Sequence, residues 1–358
     1  MTSSIAASHD SPTRPFGRTD LRVPRVIFGT SALGNLYEIP SDETKLEILR
    51  AITSELGPQA VLDTAGKYGA GLALEWVGRG LREIGARPDQ VTISNKLGWY
   101  RIPLADTEPA FEPGVWQGLA FDAEQRISAD GIIQCHEQGC ALLGPPYRPS
   151  LLSVHDPDEY LAAATSRADC DRRWHDVVQA YDALIELRRR EGIRGVGVGA
   201  KDWRVVRALA DAVDLDWVML ACSFTVFTHP PEVLAFIDDL SGRGVAVVNS
   251  AVFNSGFLAG QSEYFDYRKV DPTDAHDRAL LAWRDRFVSV CRRHEVAPAA
   301  ACVAFALSAP GVVTIALNCY DPSRVIENLA LAHAETPPEL WIELKRARLI
   351  DPAFPYLG

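Results

Sequence analysis

The stretch AVLDTAGKYGAGLALEWVGRGLREIG, residues 60–85, decides the fold because it joins two hydrophobic periodicities. AVLDT is a short apolar run that ends in an acidic residue, which is typical of a buried parallel strand. LALEWVGRGLREIG, residues 72–85, spaces its apolar residues as an amphipathic helix does. A strand followed by such a helix predicts one βα unit of a parallel sheet.

The same alternation continues on both sides of this unit. Helices are predicted over residues 41–55, with a cap at Ser41, and over residues 176–192, with a basic last turn. Eight strands suffice for a closed barrel, so the predicted fold class is α/β, a (β/α)8 TIM barrel. The candidate strands are VIFG (26–29), AVLDT (60–64), VTISNK (91–96), LLSVH (151–155), GVGVG (195–199), DWVMLA (216–221), GVAVVN (244–249) and VVTIAL (312–317).

The alternative is an open doubly wound sheet that binds a dinucleotide through a G-x-G-x-x-G loop after its first strand. FGTSALGN, residues 28–35, has the wrong glycine spacing for that loop. GVGVGAKDW, residues 195–203, is rich in glycine but comes late in the chain, where close strand packing explains it. The sequence therefore favours the barrel.

Residues 1–16 are rich in Ser, Ala and Pro, which predicts a flexible tail. Residues 17–358 are predicted to form one domain. A short hairpin is expected just before the first strand. Two long segments, residues 98–131 and 262–274, follow strands and should lie at the carboxyl-terminal face of the barrel. There they would shape a substrate pocket.

Composition excludes several classes of protein. A formal net charge of −11 over 358 residues repels nucleic acid and anionic membranes. No apolar run reaches the roughly 20 residues of a membrane span, and the amino terminus lacks a secretory apolar core, so a cytoplasmic location is predicted. The cysteine count is 7, an odd number, and the spacing fits no metal site, so neither a disulfide nor a structural metal is expected. A homo-oligomer is left open.

Four polar residues stand at or just after the ends of predicted strands: Asp63, Tyr68, Lys96 and His155. A lysine beside a tyrosine stabilises the phenolate, an aspartate holds the lysine, and a histidine can hydrogen-bond a carbonyl or hydroxyl oxygen. Each residue alone has an ordinary explanation, such as a turn cap, a buried ring or an ion pair. Together they indicate an acid/base site suited to hydride transfer.

Several motifs resemble the aldo-keto reductase superfamily over nearly the whole chain. They are LDTAGKYGAGLALEWVGRGL, ISNKLG, LLSVHDPD, IRGVGVG, FNSGFLAG and DPSRVIENL, in this order. HDPD, PGVWQG and FNSGFLAG are similar to the group that contains D-threo-aldose 1-dehydrogenase and L-fucose or L-galactose dehydrogenase. Pyridoxal 4-dehydrogenase is a similar relative.

The resemblance implies a barrel enzyme in which Tyr68 is the acid/base, Lys96 and Asp63 support it, and His155 positions the substrate oxygen. It also implies an extended nicotinamide dinucleotide. The implied cofactor-binding residues are Gly29, Thr30, Ser31, Asp63, Ser250, Phe253, Asn254, Gly256, Arg324, Glu327 and Asn328. Substrate contacts are expected from Tyr68, His155, Trp99 and Trp116, and no metal is expected at the site.

The sequence departs from the family pattern at three places. Asn318 and Cys319 stand where members that prefer NADPH carry Lys and Ser, which favours NAD while NADP stays open. After the fifth strand the chain has Gly199, Ala200 and Lys201 in place of the Asn that holds the nicotinamide carboxamide, so Lys201, Asp202 or backbone groups would hold it. The seventh strand ends in NSA, residues 249–251, without the aromatic residue on which many relatives stack the nicotinamide, so Phe224 or Phe253 would supply the ring.

The implied activity is oxidation of the anomeric hydroxyl of a free aldose, such as L-fucose or D-arabinose, to the lactone. The alternatives are a pyridoxal 4-dehydrogenase, a general aldehyde or ketone reductase, and a cofactor-binding regulatory subunit. Side-chain chemistry does not separate the enzymes from one another, since all use the same four residues.

Overall fold

Eight parallel strands close into a barrel in the computed structural model, which describes residues 13–260 and 262–357. Each strand pairs with its neighbours in chain order, and the last strand pairs with the first through Ile315 and Val26. The (β/α)8 prediction is confirmed. The strands are β1 (Val26–Gly29), β2 (Ala60–Ala65), β3 (Val91–Leu97), β4 (Leu151–His155), β5 (Gly195–Ala200), β6 (Trp217–Ala221), β7 (Ala246–Ser250) and β8 (Val312–Leu317).

Helices cover the outside of the barrel. Ser41 caps the first of them, since its hydroxyl accepts a hydrogen bond from the amide of Thr44 at 3.1 Å. The helix predicted over residues 176–192 is the later part of a longer helix, Arg167–Glu191, whose buried residues begin at Val177 and whose first turns are polar. The helices are α1 (Asp42–Leu56), α2 (Leu72–Glu83), α3 (Ala129–Leu143), α4 (Pro157–Ala162), α5 (Arg167–Glu191), α6 (Trp203–Ala212), α7 (Pro231–Gly242), α8 (Ala275–Arg293), α9 (Pro298–Ala306), α10 (Ser323–Leu331) and α11 (Pro338–Arg346).

A short antiparallel hairpin, Arg14–Pro15 with Arg22–Val23, closes the amino-terminal end of the barrel. Its Phe16 ring lies 6.0 Å from that of Trp217 in the apolar lower interior. The predicted hairpin is therefore present. Residues 1–12 of the predicted tail lie outside the described residues, but its last residues are paired or buried, because Phe16 gains from leaving water.

The register of β2 and β3 carries polar residues to the top of the barrel interior. Asp63 pairs with Ser94, and Ala65 pairs with Lys96, so the side chains of Asp63, Ser94 and Lys96 point to the same face. Below them the interior is filled by apolar residues such as Val61 and Leu151. Functional side chains thus collect at the carboxyl-terminal ends of the strands.

The two long segments both form hairpins that cover this end. Within residues 98–131, Trp99–Pro103 pairs with Phe121–Gln125, and the segment has an apolar cluster of its own. Within residues 262–274, Tyr264–Phe265 pairs with Arg268–Lys269. Among the described residues, no helix is both long and apolar enough to cross a membrane.

Candidate active site

A buried ion pair forms the base of the site. The ammonium of Lys96 binds the carboxylate of Asp63, and both residues are 1 % exposed. Ser94 donates to the other Asp63 oxygen at 3.2 Å, which holds the carboxylate in place. The Lys96 Nζ atom lies 4.4 Å from the centre of the Tyr68 ring, so three of the four predicted residues meet here.

Burial and charge set the protonation of these groups. Burial lowers the pKa of Lys96, but Asp63 and Tyr68 raise it above its ordinary value. Burial raises the pKa of Tyr68, and the opposing charge of Lys96 reduces that rise without cancelling it. At neutral pH the site therefore holds an ammonium beside a phenol.

His155, at the end of β4, completes the group of four. Its ring meets that of Tyr68 edge-on, with the ring centres 5.8 Å apart. Burial lowers the pKa of His155 to about 3, so the imidazole is neutral at physiological pH. Its Nδ1 atom is buried and has no hydrogen-bond partner among the described residues. His155 also lines the cavity above the ion pair, and its ring can bond a substrate oxygen there.

These residues open into one cavity of about 1040 Å³, which extends from the ion pair to α10. This volume lies at the upper end of the range of small-molecule sites, about 300–1,000 Å³. Thirteen of the predicted site residues line it: Gly29, Ser31, Asp63, Tyr68, Lys96, Trp116, His155, Ser250, Phe253, Gly256, Arg324, Glu327 and Asn328.

Three predicted site residues lie behind the cavity wall instead. Thr30 is 2 % exposed, and its hydroxyl donates to the carbonyl oxygen of Asp63 at 3.1 Å. Asn254 is fully buried, and its amide donates to Asp266 at 2.7 Å. Trp99 is outside the lining and packs on the ring of Phe111. These side chains support the wall and do not form its surface.

The residues predicted to contact the nicotinamide also differ in position: some line the cavity and others lie behind its wall. Phe253 lines the cavity, whereas Phe224 is fully buried with its ring 5.3 Å from that of Phe305. Lys201 lines the cavity, whereas Asp202 caps α6 through the amide of Arg204 at 2.9 Å. Of these four residues, Phe253 and Lys201 are therefore the two that can contact a ligand in the cavity.

The lining of the cavity suits a dinucleotide, because it includes the strand ends around Lys96 and also Arg324 and Asn328 in α10, where the family resemblance expects the two ends of the cofactor. Small residues stand where strands β1 and β5 end, and a Cβ atom added to Gly199 would lie 3.1 Å from the Lys96 side chain. The backbone at Gly199 therefore packs closely against Lys96, and any larger residue there would crowd the ion pair. At the far end, Asn328 donates to the carbonyl oxygen of Asn318 at 3.3 Å, which fixes this amide at the cavity edge.

The sequence analysis missed Lys67 and the ion pairs that it forms at the substrate end of the cavity. Lys67 is 3 % exposed and Asp156 is 4 % exposed, and both line the cavity, next in sequence to Tyr68 and His155. The only signal in the sequence is that each is adjacent to a predicted catalytic residue. Their partners come from other loops, so the ion pairs could not be foreseen.

Comparisons with known proteins agree with this geometry. A family model described as the Aldo/keto reductase family matches residues 25–348. The chain is 29% identical over 354 residues to pyridoxal 4-dehydrogenase from Microbacterium luteolum, covering 95% of this chain and 98% of that protein. It is 29% identical over 350 residues to D-threo-aldose 1-dehydrogenase from Pseudomonas sp., covering 92% and 95%.

Solved structures share the fold. The glycerol dehydrogenase from Gluconobacter oxydans superposes with a TM-score of 0.70 at 18% identity, covering 97% of this chain and 99% of that one. An aldo-keto reductase from Bacillus halodurans in its holo form gives a TM-score of 0.68 at 18% identity, covering 95% and 97%. At this identity the likeness concerns the barrel alone.

Proposed function

The chain belongs to the aldo/keto reductase family of oxidoreductases, and from this we propose that it oxidises the anomeric hydroxyl of a free aldose to the lactone with NAD. The observation that carries the proposal is the buried Asp63–Lys96 pair beneath Tyr68, with neutral His155 opposite. A bound nicotinamide would accept the hydride from the anomeric carbon. The proton of the same hydroxyl needs a base, and Tyr68 is the group in place.

Each of the four residues has a separate task. Tyr68 takes the hydroxyl proton as a phenolate, and Lys96 lowers the cost of that phenolate. Asp63 keeps Lys96 charged and in position. His155 donates a hydrogen bond to the substrate oxygen, a contribution of about 2.7–4 kcal/mol if it equals that of other oxyanion donors.

The substrate end of the cavity supports a sugar. Trp116 presents an aromatic ring 6.0 Å from that of Tyr68, and the carboxylates of Glu112 and Asp156 also line the wall. Apolar ring faces and carboxylate acceptors together match the two kinds of surface on a pyranose.

Replacing Trp116 with alanine should raise KM for the sugar about tenfold with a smaller change in kcat, since the ring contacts substrate and not the reacting proton. Trp99→Phe is the matched control, because Trp99 lies outside the cavity lining and phenylalanine retains most of its packing. Initial rates over a range of sugar concentrations measure both constants. Equal KM changes in the two variants would refute a substrate contact for Trp116.

The charges at the far end of the cavity support NAD over NADP. The guanidinium of Arg324 is paired with Glu327 at 2.6 Å, and Asp321 lies close by on the cavity wall. Asn318 adds no charge, and Cys319 is buried. A 2′-phosphate would thus meet one cation that is already neutralised.

Asn318→Lys should therefore lower KM for NADP about tenfold or more, because one well-placed charge is worth about 1.5–3 kcal/mol in a hydrogen bond. KM for NAD should change little. Asn318→Met is the control: it also loses the bond from the amide of Ala32 to the Asn318 side chain, but adds no charge. The same gain in both variants would show that the effect is steric.

The proposal is tested by initial rates of NADH and NADPH formation with L-fucose, D-arabinose, L-galactose and pyridoxal, at neutral and alkaline pH. Sugar-dependent formation of NADH is the expected result. Activity on pyridoxal alone would establish the second candidate, which the similarity to pyridoxal 4-dehydrogenase favours. Activity on other carbonyls alone would indicate a general reductase.

A further inference from the structure

Lys67 joins three walls of the substrate pocket. Its ammonium lies 2.7 Å from Asp156, which follows His155, and 3.0 Å from Glu159 in α4. It also lies 2.9 Å from Glu112 in the long segment after β3. The loops after β2, β3 and β4 thus meet at one side chain.

Stability alone does not explain a charged residue at this position. A buried ion pair commonly contributes no more than well-packed apolar side chains of the same volume. Burial by itself lowers the pKa of Lys67, and only the three carboxylates raise it above its ordinary value. The cluster is completed by Lys201, whose ammonium lies 2.7 Å from Glu159. A feature this costly is expected to serve the site.

One consequence of the cluster concerns the long segment. Glu112 accepts the bond from Lys67 with one oxygen and, with the other, a bond from the indole nitrogen of Trp116 at 2.8 Å. The indole is the aromatic wall that faces Tyr68. Lys67 therefore fixes the position of Trp116 through Glu112.

The other consequence concerns His155. Its Nε2 atom lies 3.6 Å from a carboxylate oxygen of Asp156, close enough for the carboxylate to attract a proton onto the imidazole. Lys67 binds the second oxygen of Asp156 and opposes that attraction. Lys96 and Lys201 also face His155, and like Lys67 they lower the pKa of its imidazole. Tyr68 is uncharged at neutral pH.

We propose that Lys67 is a positioning residue of this active site, which neutralises Asp156 beside His155 and ties Trp116 over the substrate. Its kinetic consequences rest on the aldose dehydrogenase function proposed above. The effect of Lys67 on the protonation of His155 is independent of that function, because it is measured in the protein without substrate.

The protonation of His155 is measured first, by NMR of protein labelled with ¹³C at histidine Cε1. The signal that is missing from the spectrum of His155→Asn belongs to His155. In the wild type the His155 signal should not titrate between pH 5 and 8, since burial lowers the pKa of His155 to about 3. In Lys67→Met, proton uptake by His155 and Asp156 should move up by about 1–3 pH units, because the carboxylate has lost its counter-charge. Lys67→Arg should behave as the wild type, and Lys67→Met/Asp156→Asn should not titrate.

Kinetics are measured second, with the sugar that the wild type oxidises. Compared with the wild type at the same pH, Lys67→Met should lose up to about tenfold more kcat/KM at pH 5 than at pH 9, because about nine-tenths of the imidazole is protonated at pH 5 if its pKa has risen to 6. KM should rise at both pH values because Trp116 is released. A purely structural role would lower activity equally at all pH values.

The proposal is overturned if the His155 signals of Lys67→Met and of the wild type stay alike down to pH 4, or if the double variant titrates as the single one does. If Lys67→Met does not fold, Lys67→Gln retains a hydrogen-bond donor without the charge and gives the same two readings. If the wild type oxidises no sugar, the function proposed above fails, whereas the histidine titration still decides the role of Lys67.

Discussion

Tyr68→Phe is expected to lower kcat by a factor of about 10²–10⁴, the usual contribution of a positioned acid/base group. The ring remains, so the contacts of Tyr68 with Trp116 and His155 persist and only the hydroxyl is lost. Cofactor affinity, measured by fluorescence titration with NADH, should stay within about twofold. The experiment compares kcat with the sugar that the wild type oxidises fastest.

The matched control is Tyr181→Phe. Unlike Tyr68, Tyr181 is fully buried, and its hydroxyl donates to the carbonyl oxygen of Gly197 at 3.3 Å, away from the cavity lining. Its kcat should remain close to that of the wild type. If Tyr68→Phe leaves turnover intact, Tyr68 is not the acid/base.

The pH dependence of the wild-type rate follows from the ionisation of the Tyr68 hydroxyl. Burial raises the pKa of Tyr68 above its ordinary value, so the phenolate that oxidation needs is the minor form at neutral pH. The rate of sugar oxidation should rise with pH from neutral into the alkaline range. Reduction needs the phenol and should not rise over that range.

Asp63→Asn is expected to destabilise the protein by about 3–5 kcal/mol, the cost of leaving one partner of a buried ion pair uncompensated. Without the carboxylate, burial dominates and the pKa of Lys96 falls, since Asp63 is the largest influence that raises it. The ammonium beside Tyr68 is then partly lost, so kcat should drop as well. Urea unfolding gives the stability, and initial rates give kcat.

Two further variants separate stability from catalysis. The double variant Asp63→Asn/Lys96→Met removes both charges, so it should regain part of the stability but none of the activity. The exposed pair Arg79–Asp42 is the control: its side chains are 56% and 70% exposed, and Arg79→Ala should cost less than about 1 kcal/mol. Equal losses for the buried and the exposed pair would show that the charge of Asp63 is not needed for the fold.

The predictions from sequence succeeded where local pattern and structure coincide. All eight strands were predicted because each is an apolar run between amphipathic stretches, and such runs are buried on both faces in a parallel barrel. Asp63, Lys96 and His155 meet because each stands at a strand end, and barrel strands end at the same face. Tyr68 follows the second strand closely enough to join them.

The sequence was less informative within the loops. Trp99 and Trp116 both lie in the long segment after β3, yet Trp116 lines the cavity and Trp99 does not. Their neighbours in the sequence do not distinguish them, because the hairpin that orients them pairs residues 18 to 26 positions apart. The hairpin in residues 262–274 was also expected only as a loop.

The amino-acid sequence by itself determined the barrel, the order of its strands and the four residues at one end of it, because these depend on periodicity and on strand ends. Only the tertiary structure decided which residues face the cavity, and that Lys67 is held by carboxylates from two other loops. Such ion pairs depend on distances between segments that are remote in the chain. Those distances are set by packing of the whole barrel, which no local pattern records.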